Sequence, residues 1–148
     1  MNTLKLEEFL PFRLVRAAEA VSVEFSQIYK QKYDLSRPEW RVLANLAHLG
    51  KTTATKIGAH SAMHKTKVSR AVFELEMRKW LARKLDQNDR RVEWLELTKL
   101  GQSKFESLSI LARDYELNLL EALGKDCAKQ LIHSLEKLEQ LHKLSVTR

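Results

Sequence analysis

At 148 residues, 44% hydrophobic and 30% charged with 4 Gly and 2 Pro, the chain has the length of one domain and the composition of a helix-rich globular protein rather than a disordered one. Its single cysteine, Cys127, excludes an intramolecular disulfide, and its longest apolar run, Phe9 to Phe12, is far short of a membrane span. Lys51 to Arg91 holds eleven Lys or Arg and four Asp or Glu, a surplus of +7 that equals the net charge of the whole chain and leaves the remainder neutral. A surplus confined to one stretch implies a polyanionic partner for that stretch, and nucleic acid is the foremost candidate. The first residues include Glu7 and Glu8 and lack a secretory pattern, so a soluble, reducing, cytoplasmic setting is expected.

Leu4, Leu6, Phe9 and Leu10 come first, apolar residues without a partner inside a small motif, and contact with a second subunit is expected of them. The first long helix should begin near Pro11, tolerated in a first turn because its missing N–H has no partner there anyway. Leu14, Ala18, Val21, Phe25 and Ile28 then recur at spacings of four and three, the stripe of a buried helix face. Ser36, Arg37, Pro38 and Glu39 form a capping box. A second helix follows with Trp40, Leu43, Leu46 and Ala47 inward and Gly50 to end it. Thr52 and Thr53 make a short extended link suited to a third, small strand.

A third helix is predicted over about Ala54 to His60, anchored by Ile57, and a fourth over about His64 to Trp80. At 100° per residue the fourth gathers Val68, Ala71, Val72 and Leu75 on one arc and sets Thr66, Ser69 and Arg70 opposite, with Lys65 and Lys67 at the flanks. Phe73 and Met77 also fall on the outer side, with no role that the wheel assigns. Strands over Leu81 to Leu85 and Val92 to Leu97 enclose Asp86, Gln87, Asn88 and Asp89, three of them residue types that turns favour, with Arg90 and Arg91 next. Thr98 is placed to cap a fifth helix carrying Phe105, Leu108, Leu111, Ala112, Tyr115 and Leu119 and ended by Gly124. The sixth has Leu131, Leu135 and Leu138, with Leu141 and Leu144 drifting round it, and should stay regular to within a few residues of Arg148.

A short helix, a tight turn, a longer basic helix and a hairpin with arginines beside its tip are the parts of a winged helix-turn-helix. The fold class read from the sequence is mainly α with a small β-wing, one domain over 1–148, with the winged region at about 36–98. Helices at about 4–32 and 99–146 bring more apolar stripe than one small domain covers, so they are expected to hold two copies together as a symmetric dimer.

The ordered motifs resemble the MarR-type (multiple antibiotic resistance regulator) winged-helix repressors. The residues that carry the likeness are LSRPEWRVL at Leu35 to Leu43, KTKVSR at Lys65 to Arg70, Asp89, Arg90 and Arg91 in the wing, and LELT at Leu95 to Thr98 with Gly101 beyond. The resemblance implies a homodimer held by its N- and C-terminal helices, and repression of a nearby gene relieved by a small ligand. Many members have the wing pattern D-x-R-D-R-R, and Asn88 stands where their first arginine would be. That leaves Arg90 as the minor-groove candidate, with Asp89 and Arg91 bracing the loop as an ion pair.

The major groove admits an α-helix and presents a distinct donor and acceptor pattern for each base pair. Arg70 is suited to fork onto guanine, Lys65 and Lys67 to meet guanine or phosphate, and Thr66 and Ser69 to meet backbone, base or a thymine methyl. Lys56, Ser61 and His64, near the turn, are expected on phosphates, which position the protein without reading sequence. With Asn88, Arg90 and Arg91 these make up the expected DNA surface. The bland reading of each cation is a solvated helix face, and of the wing arginines an ion pair with aspartate. Two other functions stay open: a nonspecific architectural DNA binder and a winged-helix module that binds protein.

The histidines, His48, His60, His64, His133 and His142, are not read as metal ligands, and Cys127 is read as a packed small hydrophobe, despite its place in a helix's first turn between Lys125 and Lys129. No nucleophile and base constellation or glycine-rich phosphate loop is present, so no enzyme, metal or cofactor is expected. The resemblance places an effector pocket between the winged motif and the dimer helices, gathering Arg16, Tyr33, Trp40, Arg41, His48 and Tyr115. Basic and aromatic groups together suit an aromatic or other organic carboxylate. The plain alternative has Trp40 in the core and the arginines in ion pairs.

Overall fold

A computed structural model describes residues 3–144, in two compact units, one ending at Leu111 and the other starting at Ala112. A 3-10 turn at Leu6–Glu8 precedes α1 (Leu10–Tyr33), which carries Pro11 in its first turn. Leu4, Leu6, Phe9 and Leu10 are all exposed. The apolar stripe of α1 turns from solvent to core along the helix: Leu14, Ala18 and Val21 are exposed, Phe25 and Ile28 half-buried, and Tyr29 buried. In the single chain, the expected buried face is thus present only in the C-terminal half of α1.

α2 (Arg37–Leu49) starts with the complete capping box, the Glu39 N–H donating to Ser36 Oγ at 3.3 Å and the Ser36 N–H to Glu39 Oε2 at 2.8 Å. It buries Val42, Leu43 and Leu46, while Trp40 and Ala47 are half-buried. Thr52 pairs with Leu95 by two backbone hydrogen bonds, of 3.0 and 2.7 Å, and forms the expected third strand as a single bridge. α3 (Ala54–Ser61) buries Ile57 completely. α4 (Lys65–Met77) buries Val68, Ala71, Val72 and Leu75, the four residues of the predicted arc, the valines and the leucine each contributing roughly 1.5–3 kcal/mol by leaving water.

α4 stops three residues before the expected Trp80 because Lys79 takes a left-handed conformation (φ 62). The Trp80 N–H then bonds back to Leu75 O (3.0 Å) and the Lys79 N–H to Glu76 O (2.8 Å), the paired closure usually built on glycine. Lysine at that position hid the stop from the sequence.

β1 (Leu81–Leu85) and β2 (Glu93–Leu97) pair antiparallel, with Leu81 opposite Leu97 and Arg83 opposite Leu95. Thr98 Oγ1 accepts the Gly101 N–H (3.0 Å) and donates to Lys79 O (2.7 Å), so the residue that caps α5 (Lys99–Leu123) also seals the end of α4. A Cβ on Gly101 would lie 1.9 Å from Trp80 O, so the first turn of α5 packs as it does only with glycine there. The core of this unit joins residues of α2, α3, α4 and both strands to Tyr29, Leu35, Met63, Trp80 and Leu108, with Phe105 and Leu111 packed against it.

In the second unit, Ala112, Tyr115 and Leu119 of α5 are half-buried. α6 (Lys125–Leu141) buries Ala128 and leaves Leu131, Ile132 and Leu135 exposed. It ends earlier than expected because Lys143 is left-handed (φ 53) and the Leu144 N–H turns back to Glu139 O at 2.9 Å. Residues 145 and 146, within the expected C-terminal helix, lie outside the described residues. Among the described residues, no helix is long and apolar enough to cross a membrane.

Candidate nucleic-acid interface

α4 opens at His64, whose Nδ1 accepts the Thr66 N–H at 3.3 Å, a ring nitrogen in the place of the usual capping oxygen. From Lys65 to Arg70 the helix carries three cations and no acid. The positive end of the helix dipole disfavours cations there by roughly 0.3–1 kcal/mol each, so the arrangement is unfavourable alone and becomes favourable opposite an anion. Lys56, Lys65, Lys67, Arg70 and Arg90 are all exposed, and none is in an ion pair among the described residues. Thr66 and Ser69 are exposed between them.

The turn before α4 is set by Ala62, left-handed at φ 51, and by the Met63 N–H bonding to Gly58 O at 3.0 Å, with the Met63 side chain buried. Ser61, half-buried, donates its hydroxyl proton to Ile57 O. His60 and His64 stand four apart, a spacing that on one helix would bring both rings to one face, but the chain turns between them. His60 Nδ1 instead meets Asn45 Oδ1, whose amide nitrogen donates to Arg41 O at 2.7 Å. No group of three His, Cys, Asp or Glu suited to a metal occurs among the described residues. Cys127, read as packed, is exposed, because α6 turns it away from buried Ala128 beside it.

The wing tip is stiffened by one carboxylate. Asp86 Oδ1 accepts the backbone N–H groups of Asn88 (2.9 Å) and Asp89 (3.0 Å), while Oδ2 accepts the Trp94 indole N–H at 2.8 Å. The Trp94 bond and the two backbone bonds hold the Asp86 carboxyl below its ordinary pKa. Arg91 donates to Asp89 from its backbone N–H, Nε and Nη2 at 3.0–3.2 Å, which lowers the Asp89 pKa as well. The expected ion pair is therefore present, and Arg90 is exposed on the braced loop with no ion pair among the described residues. Asn88 is exposed beside it.

Two arginines that the sequence reading passed over fix α4 in place. Arg78, at the C-terminus of α4, donates to Tyr33 O (2.8 Å) and Asp34 O (2.6 Å), satisfying carbonyls at the end of α1, and its Nε lies 3.5 Å from Glu39 of the capping box. Arg83 of β1 bonds Glu76 of α4 (2.6 Å) and Glu93 of β2 (3.0 Å). The first joins residues more than forty apart in sequence, and no local pattern signals it. The second has a weak signal in strand register, since Arg83 and Glu93 are diagonal neighbours across the hairpin. A third clamp, the two-pronged Arg37–Glu19 pair at 2.7 Å, ties α2 to α1 and lowers the Glu19 pKa.

Of the six residues expected around an effector, five lie in the first unit, each with contacts of its own. Arg16 lies over the Phe12 ring on α1, and Tyr33 meets Trp80 edge-on. Trp40 is stacked between Tyr29 (5.6 Å) and Phe105 (6.1 Å) in the aromatic core. His48 stacks on His60, and Tyr115 belongs to the second unit. Arg41 alone lines a cleft of about 760 Å³ bordered by α1, α2 and α4, where Lys30, Lys67, Arg78, Glu19 and Glu74 also face inward.

Fold and surface together define the class, a winged helix-turn-helix protein with exposed cations along the first half of α4 and at the hairpin tip. The MarR family model matches residues 35–92. Over 144 residues the chain is 26% identical to YwaE, an uncharacterized HTH-type transcriptional regulator of Bacillus subtilis strain 168, covering 96% of this chain and 84% of that protein. Its structure resembles a MarR/EmrR family transcriptional regulator from Acinetobacter sp. ADP1, with TM-score 0.81, 26% identity and coverage of 96% of this chain and 100% of that one. It shares its fold with Bordetella bronchiseptica BpsR, at TM-score 0.78 and 22% identity over 93% and 98% of the two chains. The winged region thus matches the MarR family model, and over nearly its whole length the chain is similar to transcriptional regulators.

Proposed function

We propose that this regulator binds a near-palindromic operator as a homodimer, with α4 of each copy in the major groove and the wing reaching the minor groove, and that it acts as a repressor. The observation that carries the reading is the row of unpaired cations in the first half of α4, where the helix dipole favours acids, continued by exposed Arg90 on a loop in which Arg91 is taken up by Asp89. Arg70, Lys65, Lys67, Thr66 and Ser69 face the bases and nearby phosphates, Lys56, Ser61 and His64 the backbone, and Asn88, Arg90 and Arg91 the wing contact. Two α4 helices on a twofold axis meet half-sites about 10 base pairs apart.

Selection from random duplexes tests this directly: an enriched palindrome is expected. Retention without enrichment assigns an architectural binder, and no retention assigns a protein-binding module. With about 6–10 phosphates neutralised, affinity for the selected duplex should fall roughly 10³–10⁵-fold between 50 and 200 mM salt. Arg70→Ala should relax preference at one position per half-site, whereas Lys56→Ala should weaken all duplexes alike.

Relief by a small organic acid is the second part of the proposal. DNA binding by BpsR, which has the same fold, is regulated by 6-hydroxynicotinic acid. The cleft beside Arg41 supports a related ligand here, because that arginine is in no ion pair among the described residues and borders the helix proposed to read DNA. Titrating aromatic carboxylates into the operator complex should release DNA, and Arg41→Ala should abolish the response; release unchanged in that variant sinks the assignment.

A further inference from the structure

The outward stripe of α4 changes character halfway along. Thr66, Arg70, Phe73 and Met77 succeed one another at spacings of four, three and four, away from the buried Val68, Ala71, Val72 and Leu75. The first two are polar. The last two are apolar and open to solvent, Phe73 at 52% exposure and Met77 at 65%. Phe73 is outside the core cluster and in no ring pair among the described residues. A phenyl ring one turn beyond the three cations of this groove-sized helix calls for an apolar feature on the polyanion that those cations fit.

A major groove offers one such feature, the C5-methyl of thymine, and phenylalanine is among the side chains that pack on it. Phe73 stands three residues from Arg70, about 4.5 Å along the helix axis, close to the 3.4 Å step between stacked bases. We infer that Phe73 is a specificity residue whose ring packs against the methyl of a thymine neighbouring the base pair read by Arg70, with Met77 shielding that contact from water. The inference rests on the major-groove docking proposed above. It is favoured over a protein partner because the apolar pair continues the same stripe as Arg70; the residues beside it are Glu74 and Glu76, the latter neutralised by Arg83.

The test uses the full-length protein and the duplex it selects, with each thymine replaced in turn by deoxyuridine, which removes the methyl group and nothing else. One thymine in each half-site should show about a fourfold loss of wild-type affinity, the effect of withdrawing one buried methyl. Phe73→Ala should be indifferent to that same replacement, and Phe73→Leu should keep part of the sensitivity. Each variant is compared with itself on two duplexes, so a general loss of affinity cancels. Wild-type indifference to every replacement, or sensitivity that persists in Phe73→Ala, overturns the inference and leaves the DNA-binding reading standing. Loss of higher-order self-association in Phe73→Ala with sensitivity unchanged overturns it in favour of a protein contact, and failure to select any duplex overturns both readings.

Discussion

Lys79 shows how one residue sets the end of an element. Its left-handed backbone lets Trp80 and Lys79 close the carbonyls of Leu75 and Glu76, and it does so without glycine's freedom from Cβ crowding. A non-glycine residue in that region costs roughly 1–2 kcal/mol, partly offset on substitution by the greater unfolded-state entropy of glycine. Lys79→Gly should therefore raise stability by about 0.5–1 kcal/mol, read as a higher urea midpoint at unchanged slope. A lower midpoint would show that the lysine makes a compensating contact. The same residue explains a misplaced boundary: the apolar period of α4 runs on towards Trp80, and only the backbone angle shows that Trp80 belongs to the turn.

Among elements, the wing is held by two aspartates and the start of α5 by a close approach that only glycine allows. The Asp86 and Asp89 pKa values are lowered by partners present only in the folded loop, so their contribution is complete above the ordinary aspartate pKa of about 3.9 and is lost as pH falls through the lowered values. Acidification below about pH 4 should loosen the loop before the core melts. In a variant with Trp40 and Trp80 replaced by Phe, Trp94 emission should report that step, and Asp86→Asn should move it. A loop signal that stays flat until global unfolding would contradict the bracing role. Gly101 offers the opposite case, a steric one. The added methyl of Gly101→Ala meets the Trp80 carbonyl oxygen at 1.9 Å, so the first turn of α5 must move away from the hairpin. A loss of about 3 kcal/mol is expected by denaturant titration, against roughly 1–3 kcal/mol for Gly124→Ala, where a Cβ meets nothing within 4 Å and the cost is that of the positive φ of 84 alone.

For the molecule as a whole, the question is what covers the apolar side chains left in water. Leu14 and Val15 on α1, and Leu131, Ile132 and Leu135 on α6, are exposed in the single chain, and the proposed homodimer would bury them. Sedimentation at micromolar concentration should give a dimer. Ile132→Glu with Leu135→Glu should give monomers that keep their helical signal and lose operator affinity by far more than one phosphate contact explains. A monomeric wild type that still binds a palindrome would overturn the twofold arrangement.

Much of the fold was legible because its signals are local. The capping box at Ser36 and Glu39, the four-residue buried arc of α4, the hairpin strands and the cap at Thr98 each depend on residues within a few positions of one another, where helix and strand periods dictate which side chains meet. The cationic face of α4 was legible for the same reason, although its contact with DNA is a proposal in the structure as in the sequence. What only the tertiary structure decided depends on distant partners or on backbone angles: Arg78 capping α1 across the fold, Arg83 linking α4 to both strands, Trp94 fixing Asp86, and the stops at Lys79 and Lys143. A guanidinium or an indole N–H carries no mark of which far-off oxygen it will find, because chain folding alone brings the two together.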